Sequence, residues 1–438
     1  MRVVGAALLV SASFVAASVA WAATPPKSVA EPPHRLLVGY FPQWGLYNKH
    51  PYTVRELVES GAAGMLDHLN YAQGFVTNGR CSVADPNADL NYTFTAETSV
   101  DGKPDSPTAP FRGNFHQLVE LKRMYPRMKI LISLEGHAPD FAADAQSEAR
   151  AAFVSSCVDL FLKGDFGPEA KAPGLFDGID IDWEYPRGED AKNYVPLLRE
   201  FRRQMDAFHP GLLLSVALGP SPHMYGDADI EEVGKLADVA GLMTYDFNGP
   251  WSSTTGLIAP LSTSEPDEES VERSVTAWKD AGIPADKLLV GLPFYGYAWH
   301  DVGDENHGLG QDGKPEHDDH PYREIQRLIH SDPPPEVVAA LSPPTQPPAP
   351  VVYRDPKSQA PWLFDGDSFW TYDDPTSIRS KASYVANQQL GGFMVWELGE
   401  DTSDATLLRA AHRALASPLP LTSIPLNPSQ SSSAGAAQ

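Results

Sequence analysis

The segment Phe176-Asp177-Gly178-Ile179-Asp180-Ile181-Asp182-Trp183-Glu184-Tyr185-Pro186 limits what this chain can fold into more than any other stretch. In an extended strand successive side chains point to opposite faces, so Asp180, Asp182 and Glu184 line one face while Ile179, Ile181 and Trp183 line the other. A strand with so apolar a face is not a surface edge, and its row of three carboxyls must point into a functional space rather than into bulk water. Crowded carboxylates repel one another, so at least one should keep its proton near neutral pH, which is what a general acid requires. Gly174 precedes the segment and Pro186 ends it. The acids run up to its carboxyl end, where parallel-barrel enzymes place their chemistry.

Around this segment the chain alternates two kinds of pattern. Apolar, β-branched runs occur at 36–41, 66–76, 128–134, 176–182, 212–218, 239–245, 288–293 and 392–396, and amphipathic helical stretches lie between them at 115–124, 148–162, 190–208, 268–281 and 376–389. That alternation predicts an α/β protein with a parallel sheet, and eight repeats favour a closed (β/α)8 barrel over a doubly wound sheet. Such barrels take about 250 residues or more, so the 438 residues here fit one barrel with an addition. Residues 294–391 separate the seventh run from the eighth, far more than one helix needs, so a small α+β insertion is expected at 298–371. It should hold a charged loop, a short helix at 322–329, a Pro-rich passage at 333–350 and aromatic strand-like pieces near Val351, Trp362 and Phe369. The catalytic barrel then occupies 36–297 and 372–417.

Composition and the chain ends set the compartment and the partners. Fifty-seven acidic against 33 basic side chains give a net charge of −24. That opposes nucleic acid and anionic membranes, and suits a neutral or cationic substrate. Residues 1–22 read as a secretory signal: Arg2 starts it, an apolar stretch follows, and Ala20-Trp21-Ala22 forms a cleavage site. A Pro-rich linker at 23–35 leads into the fold, and a Ser/Pro/Ala-rich tail at 418–438 is expected to be disordered. No later apolar run approaches the roughly twenty residues needed to span a bilayer, so the product is expected to be secreted, extracellular or periplasmic, and monomeric. Cys81 and Cys157 either pair in that oxidising compartment or remain buried thiols.

With these pieces in order, the chain resembles glycoside hydrolase family 18, the chitinase family, in its bacterial type with an α+β insertion. The family signature Asp-Gly-x-Asp-x-Asp-x-Glu stands here as Asp177, Gly178, Asp180, Asp182 and Glu184. Gly39-Tyr40-Phe41 with Gln43-Trp44 is similar to the family's first strand, and Leu69-Asn70-Tyr71-Ala72 to its second. Met243-Thr244-Tyr245-Asp246, followed by Trp251, is similar to its sixth. Pro293-Phe294-Tyr295-Gly296 matches its seventh, and Gly391-Gly392-Phe393-Met394-Val395-Trp396-Glu397 its eighth.

The resemblance implies that Glu184 protonates the glycosidic oxygen and later activates water, and that Asp182 holds the substrate's acetamido group with Asp180 behind it sharing its proton. The nucleophile is then the substrate's own N-acetyl oxygen. Tyr245 joins the catalytic set, and Asp246 with Tyr245 binds the acetyl group and sugar while Trp396 floors the cleaved sugar's site. Tyr40, Phe41, Trp44, Tyr71, Glu135, Trp183, Met243, Trp251 and Tyr297 complete the residues expected to contact substrate. The implied activity is a chitinase hydrolysing β-1,4 bonds between N-acetylglucosamine units of chitin or chitooligosaccharides with retention. The alternatives are an endo-β-N-acetylglucosaminidase on glycoprotein glycans and a non-catalytic chitin-binding lectin. No cofactor is expected, and His317-Asp318-Asp319-His320 reads as part of a solvated charged loop rather than a metal site.

Two places depart from the family pattern: Ser133-Leu134-Glu135-Gly136 replaces Ser-x-Gly-Gly on the third strand, and Tyr295-Gly296-Tyr297 replaces Tyr-Gly-Arg after the seventh. Ser133 and Glu135 share the face that looks toward the acid row in a barrel. Glu135 therefore either couples electrostatically to Asp182 and Glu184, or turns outward and offers a sugar a hydrogen-bond acceptor at the rim.

Overall fold

The structure, a computed structural model, describes residues 34–135, 138–265, 268–330 and 349–418. The secretory signal, most of the linker, most of the Pro-rich passage and the tail lie outside the described residues. Among the described residues fifteen strands follow in chain order. The first eight are β1 (Leu36–Pro42), β2 (His68–Thr77), β3 (Arg80–Val83), β4 (Lys129–Glu135), β5 (Gly178–Asp182), β6 (Leu213–Leu218), β7 (Val239–Leu242) and β8 (Leu288–Pro293). They are followed by β9 (Tyr295–His300), β10 (Lys314–Pro315), β11 (His320–Pro321), β12 (Val351–Arg354), β13 (Pro361–Phe364), β14 (Phe369–Thr371) and β15 (Gly392–Trp396).

Eight of these close a parallel barrel in the order β1-β15-β8-β7-β6-β5-β4-β2, with β2 returning to pair with β1. All eight predicted strands are present. β7 stops at Leu242, three residues short of expectation, so Tyr245 and Asp246 stand on the connection beyond it. The barrel is built from near-continuous apolar runs because each strand is covered on both faces. Ile179 and Ile181 of β5 are fully buried against the surrounding helices, while Asp180 turns inward.

Gly178 in the signature has a steric cause. A Cβ there would lie 2.1 Å from the Leu213 carbonyl oxygen of the adjacent strand, so only glycine allows β5 and β6 to approach. The neighbouring Asp177 is structural as well, since its carboxylate accepts from Lys122 Nζ at 2.7 Å and from the Ile130 amide at 2.9 Å.

The predicted helices form at Gly113–Met124, Arg150–Cys157, Ala191–Phe208, Val271–Asp280 and Pro375–Asn387. Among the described residues four more α-helices escape the periodicity reading: Val54–Glu59, Ala138–Asp144, Ile230–Leu236 and Thr406–Ala416. The first three have only six or seven residues, too few for an apolar repeat to stand out.

Between β8 and β15 lies a second, antiparallel sheet in the order β10-β9-β14-β13-β12, with β11 also paired to β9 and the helix Tyr322–His330 following it. This sheet starts at Tyr295, ahead of the expected 298, because Tyr295 and Gly296 already pair with Pro321 and His320. Its aromatic cluster of Trp299, Trp362, Phe364 and Phe369 gives the addition its own apolar centre.

The cysteine question, left open by the sequence, resolves as a Cys81–Cys157 disulfide that ties β3 to the helix Arg150–Cys157. It spans 76 residues of sequence. In the chain-entropy account, closing a loop of that size in the unfolded chain contributes about 4.5 kcal/mol. Replacing both cysteines by serine is expected to lower the thermal midpoint by several degrees. Calorimetry checks this, and equal midpoints for the two proteins would remove the cross-link from the stability account.

Candidate active site

The acid row sits where β5 ends, at the carboxyl face of the barrel. Asp180 is completely buried, Asp182 is 8% exposed, and Glu184 lies beyond the strand and reaches solvent. Tyr40 Oη and Ser133 Oγ both donate to Asp180 Oδ2, at 2.7 and 2.9 Å. Asp180 Oδ1 and Asp182 Oδ1 are buried and have no hydrogen-bond partner among the described residues.

Such an environment favours protonated acids. Burial is the largest cause raising the Asp180 carboxyl, opposed by Ser215, Tyr40, Ser133 and Asn70 around it. Burial, then the charges of Glu184, Asp180 and Glu135, push Asp182 well above the carboxylate range. Although the Glu184 carboxyl is open to solvent, enough protein surrounds it that desolvation is again the first cause of its raised pKa. The Tyr185 hydroxyl bonds to it and pulls the other way, while Glu135 and Asp246 add to the rise. These groups interact as one coupled set.

A solvent-open cavity of about 350 Å³ lies over the row, and its walls include Asp182, Glu184, Tyr185, Met243, Tyr245, Asp246, Tyr40 and Trp396. Trp396 forms an aromatic floor with Tyr40 at 5.3 Å and Trp44 at 6.1 Å between ring centroids. Aromatic faces of this kind suit the apolar faces of pyranose rings. Tyr295 Oη donates to Asp246 at 2.7 Å, and Tyr297 bonds to the same carboxylate. Trp251, 62% exposed, stands edge-on to Tyr297 with the ring centroids 5.7 Å apart, so the aromatic surface continues beyond the cavity.

Three residues of the expected substrate set are elsewhere. Phe41, Tyr71 and Trp183 are at most 1% exposed and pack between barrel and helices. Phe41 stacks on Tyr71, Trp183 stacks on Phe141, and the Tyr71 hydroxyl bonds to buried Asp89. Strand alternation is the reason, since each is the outward neighbour of an inward residue. They cannot touch a ligand in the cavity, and they are withdrawn from the substrate set.

The structure also adds residues that sequence reading passed over. Tyr185, Met224, Pro220, Tyr295 and Met394 line the cavity. Tyr185, Tyr295 and Met394 had a signal, because each lies inside a motif already singled out. Asp319 had none. It projects from the insertion, and its charge helps to raise Asp246, Tyr297 and Glu397, the last pushed up to about 8 chiefly by burial. The neighbouring His320 pairs with Glu316 at 3.0 Å. Among the described residues no cluster of His, Cys, Asp and Glu is arranged to hold a metal ion, and no helix is long and apolar enough to cross a membrane.

A closed (β/α)8 barrel carrying a buried acid row under an aromatic-floored groove has the design of a glycoside hydrolase. Residues 36–401 match Glycosyl hydrolases family 18, and the chain belongs to that family. It is 32% identical over 398 residues to chitinase C of Streptomyces lividans, covering 87% of this chain and 60% of that protein, so it spans about three fifths of the length of this relative. The catalytic domain of psychrophilic chitinase B from Arthrobacter TAD20 superposes with a TM-score of 0.77 at 29% identity, over 89% of this chain and 97% of that one. A family 18 N-acetylglucosaminidase from Paenibacillus barengoltzii superposes with a TM-score of 0.65 at 29% identity, over 87% of this chain and all of that one.

Proposed function

We propose that this chain is a secreted chitinase that cleaves β-1,4 bonds between N-acetylglucosamine units with retention of configuration, using the substrate's own acetamido group as nucleophile. One observation carries the reading: the Asp180, Asp182 and Glu184 row opens under an aromatic floor, with its outermost member reaching solvent and its inner members held toward the protonated state.

In this scheme Glu184 gives its proton to the glycosidic oxygen as the bond to the anomeric carbon breaks. The acetamido oxygen of the sugar on Trp396 attacks that carbon and forms a cyclic oxazolinium ion. Asp182 accepts the acetamido N–H and stabilises the positive charge, and Asp180 behind it takes part in sharing the proton. Glu184, now ionised, removes a proton from water, which attacks the anomeric carbon from the face the leaving group vacated, breaks the bond to the acetamido oxygen and so restores both acid and acetamide. Tyr245 and Asp246 orient the acetyl group and sugar.

The second sheet sets Tyr295 in the cavity lining and Tyr297 on Asp246, and this flanking surface supports a linear polymer as substrate, in preference to branched glycoprotein glycans. The disulfide supports the oxidising compartment implied by residues 1–22.

Thiazoline mimics of the cyclised intermediate are expected to inhibit competitively, and fully de-acetylated chitosan is expected to be a poor substrate because it has no acetamide to attack. Equal rates on chitin oligosaccharides and fully de-acetylated oligomers would eliminate the substrate-assisted scheme. A fluorogenic chitobioside assayed beside a high-mannose glycopeptide separates chitinase from endo-β-N-acetylglucosaminidase, and turnover of neither would favour the lectin.

A further inference from the structure

The aromatic floor takes one of its rings from a segment that cannot hold itself in place. Trp44, 6.1 Å from Trp396 between ring centroids, sits in the short helical turn Gln43–Tyr47 that follows β1. That turn has five residues and no side-chain cap. Too few internal bonds form in so short a turn for it to be stable alone, so contacts from outside decide where it stands. On one side the Tyr52 amide donates to the Gly45 carbonyl at 2.8 Å. On the other, the connection between β3 and the helix Gly113–Met124 grips the turn along its length. Gln43 Nε2 donates to Asp89 Oδ2, Leu46 packs with Ala88 and Phe94, and Tyr47 Oη donates to Asp85 Oδ2 at 2.6 Å.

The bond from Gln43 to Asp89 adjoins Trp44 in the chain and is buried at both ends. Gln43 is 6% exposed and Asp89 fully buried. Water does not compete for either group, and breaking the bond would strand a buried amide and a buried carboxyl, so the contact fixes the start of the turn. Asp89 is itself held from several directions. Its other oxygen, Oδ1, accepts from Tyr71 Oη on β2, which in turn accepts from Asn114 Nδ2 at 2.9 Å. Its amide donates to the Asp85 carbonyl at 2.9 Å. Gly113, at φ +71°, lets its backbone pass, because a Cβ there would lie 2.6 Å from the Asp89 carbonyl oxygen. Asp89 therefore couples β2 and the start of the helix Gly113–Met124 to the turn that presents Trp44.

We propose that Asp89 is a positioning residue for substrate binding: by holding Gln43 it fixes the turn Gln43–Tyr47 and keeps the Trp44 ring on the floor beside Trp396, where it takes a sugar unit next to the one on Trp396. The proposal rests on the reading of that floor as the sugar-binding surface. A ring gains from stacking only if it is already in place when the sugar arrives; a ring on a loose turn must be ordered at the expense of affinity. Asp89 touches no ligand itself, being buried. Its effect is confined to binding, because the acid row on β5 stands on separate elements. The same network gives Tyr71, which packs away from the cavity, an indirect part in presenting Trp44.

The experiment is calorimetric titration with a soluble chitin oligosaccharide, beside kcat, KM and the thermal midpoint, for Gln43→Met and Asp89→Asn, each in the wild-type and the Trp44→Ala background. Gln43→Met keeps the length of the side chain and removes the donor. Its Kd and KM are expected to rise about three- to tenfold, the range for partial to full loss of one ring contact, with kcat within about twofold of the wild type. Asp89→Asn keeps an oxygen for Gln43 to bond while disturbing the bond with Tyr71, so it is expected to lower the thermal midpoint and leave Kd within about twofold. In the Trp44→Ala background Gln43→Met is expected to have almost no further effect on Kd, because the ring it positions is gone. Asp89→Leu removes the same bond from the other side and takes the place of Gln43→Met if that variant folds poorly. An unchanged Kd in Gln43→Met would overturn the inference. So would an equal rise in Kd with and without Trp44, or a Kd that follows the thermal midpoint rather than the loss of the Gln43 bond. A Trp44→Ala protein that binds as tightly as the wild type would instead remove Trp44 from the sugar floor. Absence of hydrolysis by the wild type would overturn the chitinase reading alone, since the titration reads sugar binding directly.

Discussion

Glu184→Gln is expected to lower turnover on a soluble chitin oligosaccharide by at least about a hundredfold while leaving oligosaccharide affinity within a few-fold of the wild type. Glutamine preserves the size of the side chain and its bond with Tyr185 while removing the transferable proton. General-acid assistance is typically worth about a hundred- to ten-thousandfold, so a hundredfold loss, about 2.7 kcal/mol of transition-state stabilisation, is the low end of expectation. Affinity should survive because the aromatic floor of Trp396, Tyr40 and Trp44 is untouched. Steady-state kinetics and calorimetric titration of the same variant separate the two quantities. Near wild-type turnover would take the acid role from Glu184. A matching collapse of binding would mean that the carboxyl serves to hold the sugar.

A stability loss of about 3–5 kcal/mol is expected from Lys381→Met, the figure for removing one partner of a buried ion pair. Lys381, on the helix Pro375–Asn387, and Asp373, just after β14, are each 1% exposed and form a close ion pair, and Asp373 also accepts from Ser377 Oγ at 2.7 Å. Burial pushes the Asp373 carboxyl up and the Lys381 amine down, while each partner's charge opposes the change in the other. Removing the lysine leaves an uncompensated carboxyl in the core between the insertion and the last barrel strand. Replacing both, Lys381→Met with Asp373→Leu, should recover much of the loss, because no charge is then stranded. Denaturant unfolding of the single and double variants tests this, and a double variant as unstable as the single would show that shape rather than charge governs the site.

The two variants probe features of unequal visibility in sequence. Glu184 was legible because strand periodicity and the signature act over eight residues. The Lys381–Asp373 pair was not, since an Asp and a Lys eight positions apart look like ordinary surface residues until folding buries them together.

The same division runs through the site. Asp180, Asp182, Glu184 and the eight barrel strands follow from local alternation and runs of β-branched residues, so the sequence by itself determined the barrel, the acid row and the end of the sheet at which it lies. Phe41, Tyr71 and Trp183 carry the same motifs as their neighbours, yet alternation turns them into the packing, where they serve the helices around the barrel. Asp319 and Glu397 belong to segments far apart in the chain. Only closure of the barrel, with the second sheet beside it, brings Asp319 close enough to act on both Glu397 and Asp246. The disulfide is of the same kind, since Cys81 and Cys157 meet because β3 extends the sheet past the helix Arg150–Cys157. Sequence decides what acts between near neighbours along the chain, where backbone geometry sets which way each side chain points. Tertiary structure decides which distant charges share one poorly solvated space, and there the repulsion between carboxyls that ordinary solvent would screen sets their protonation.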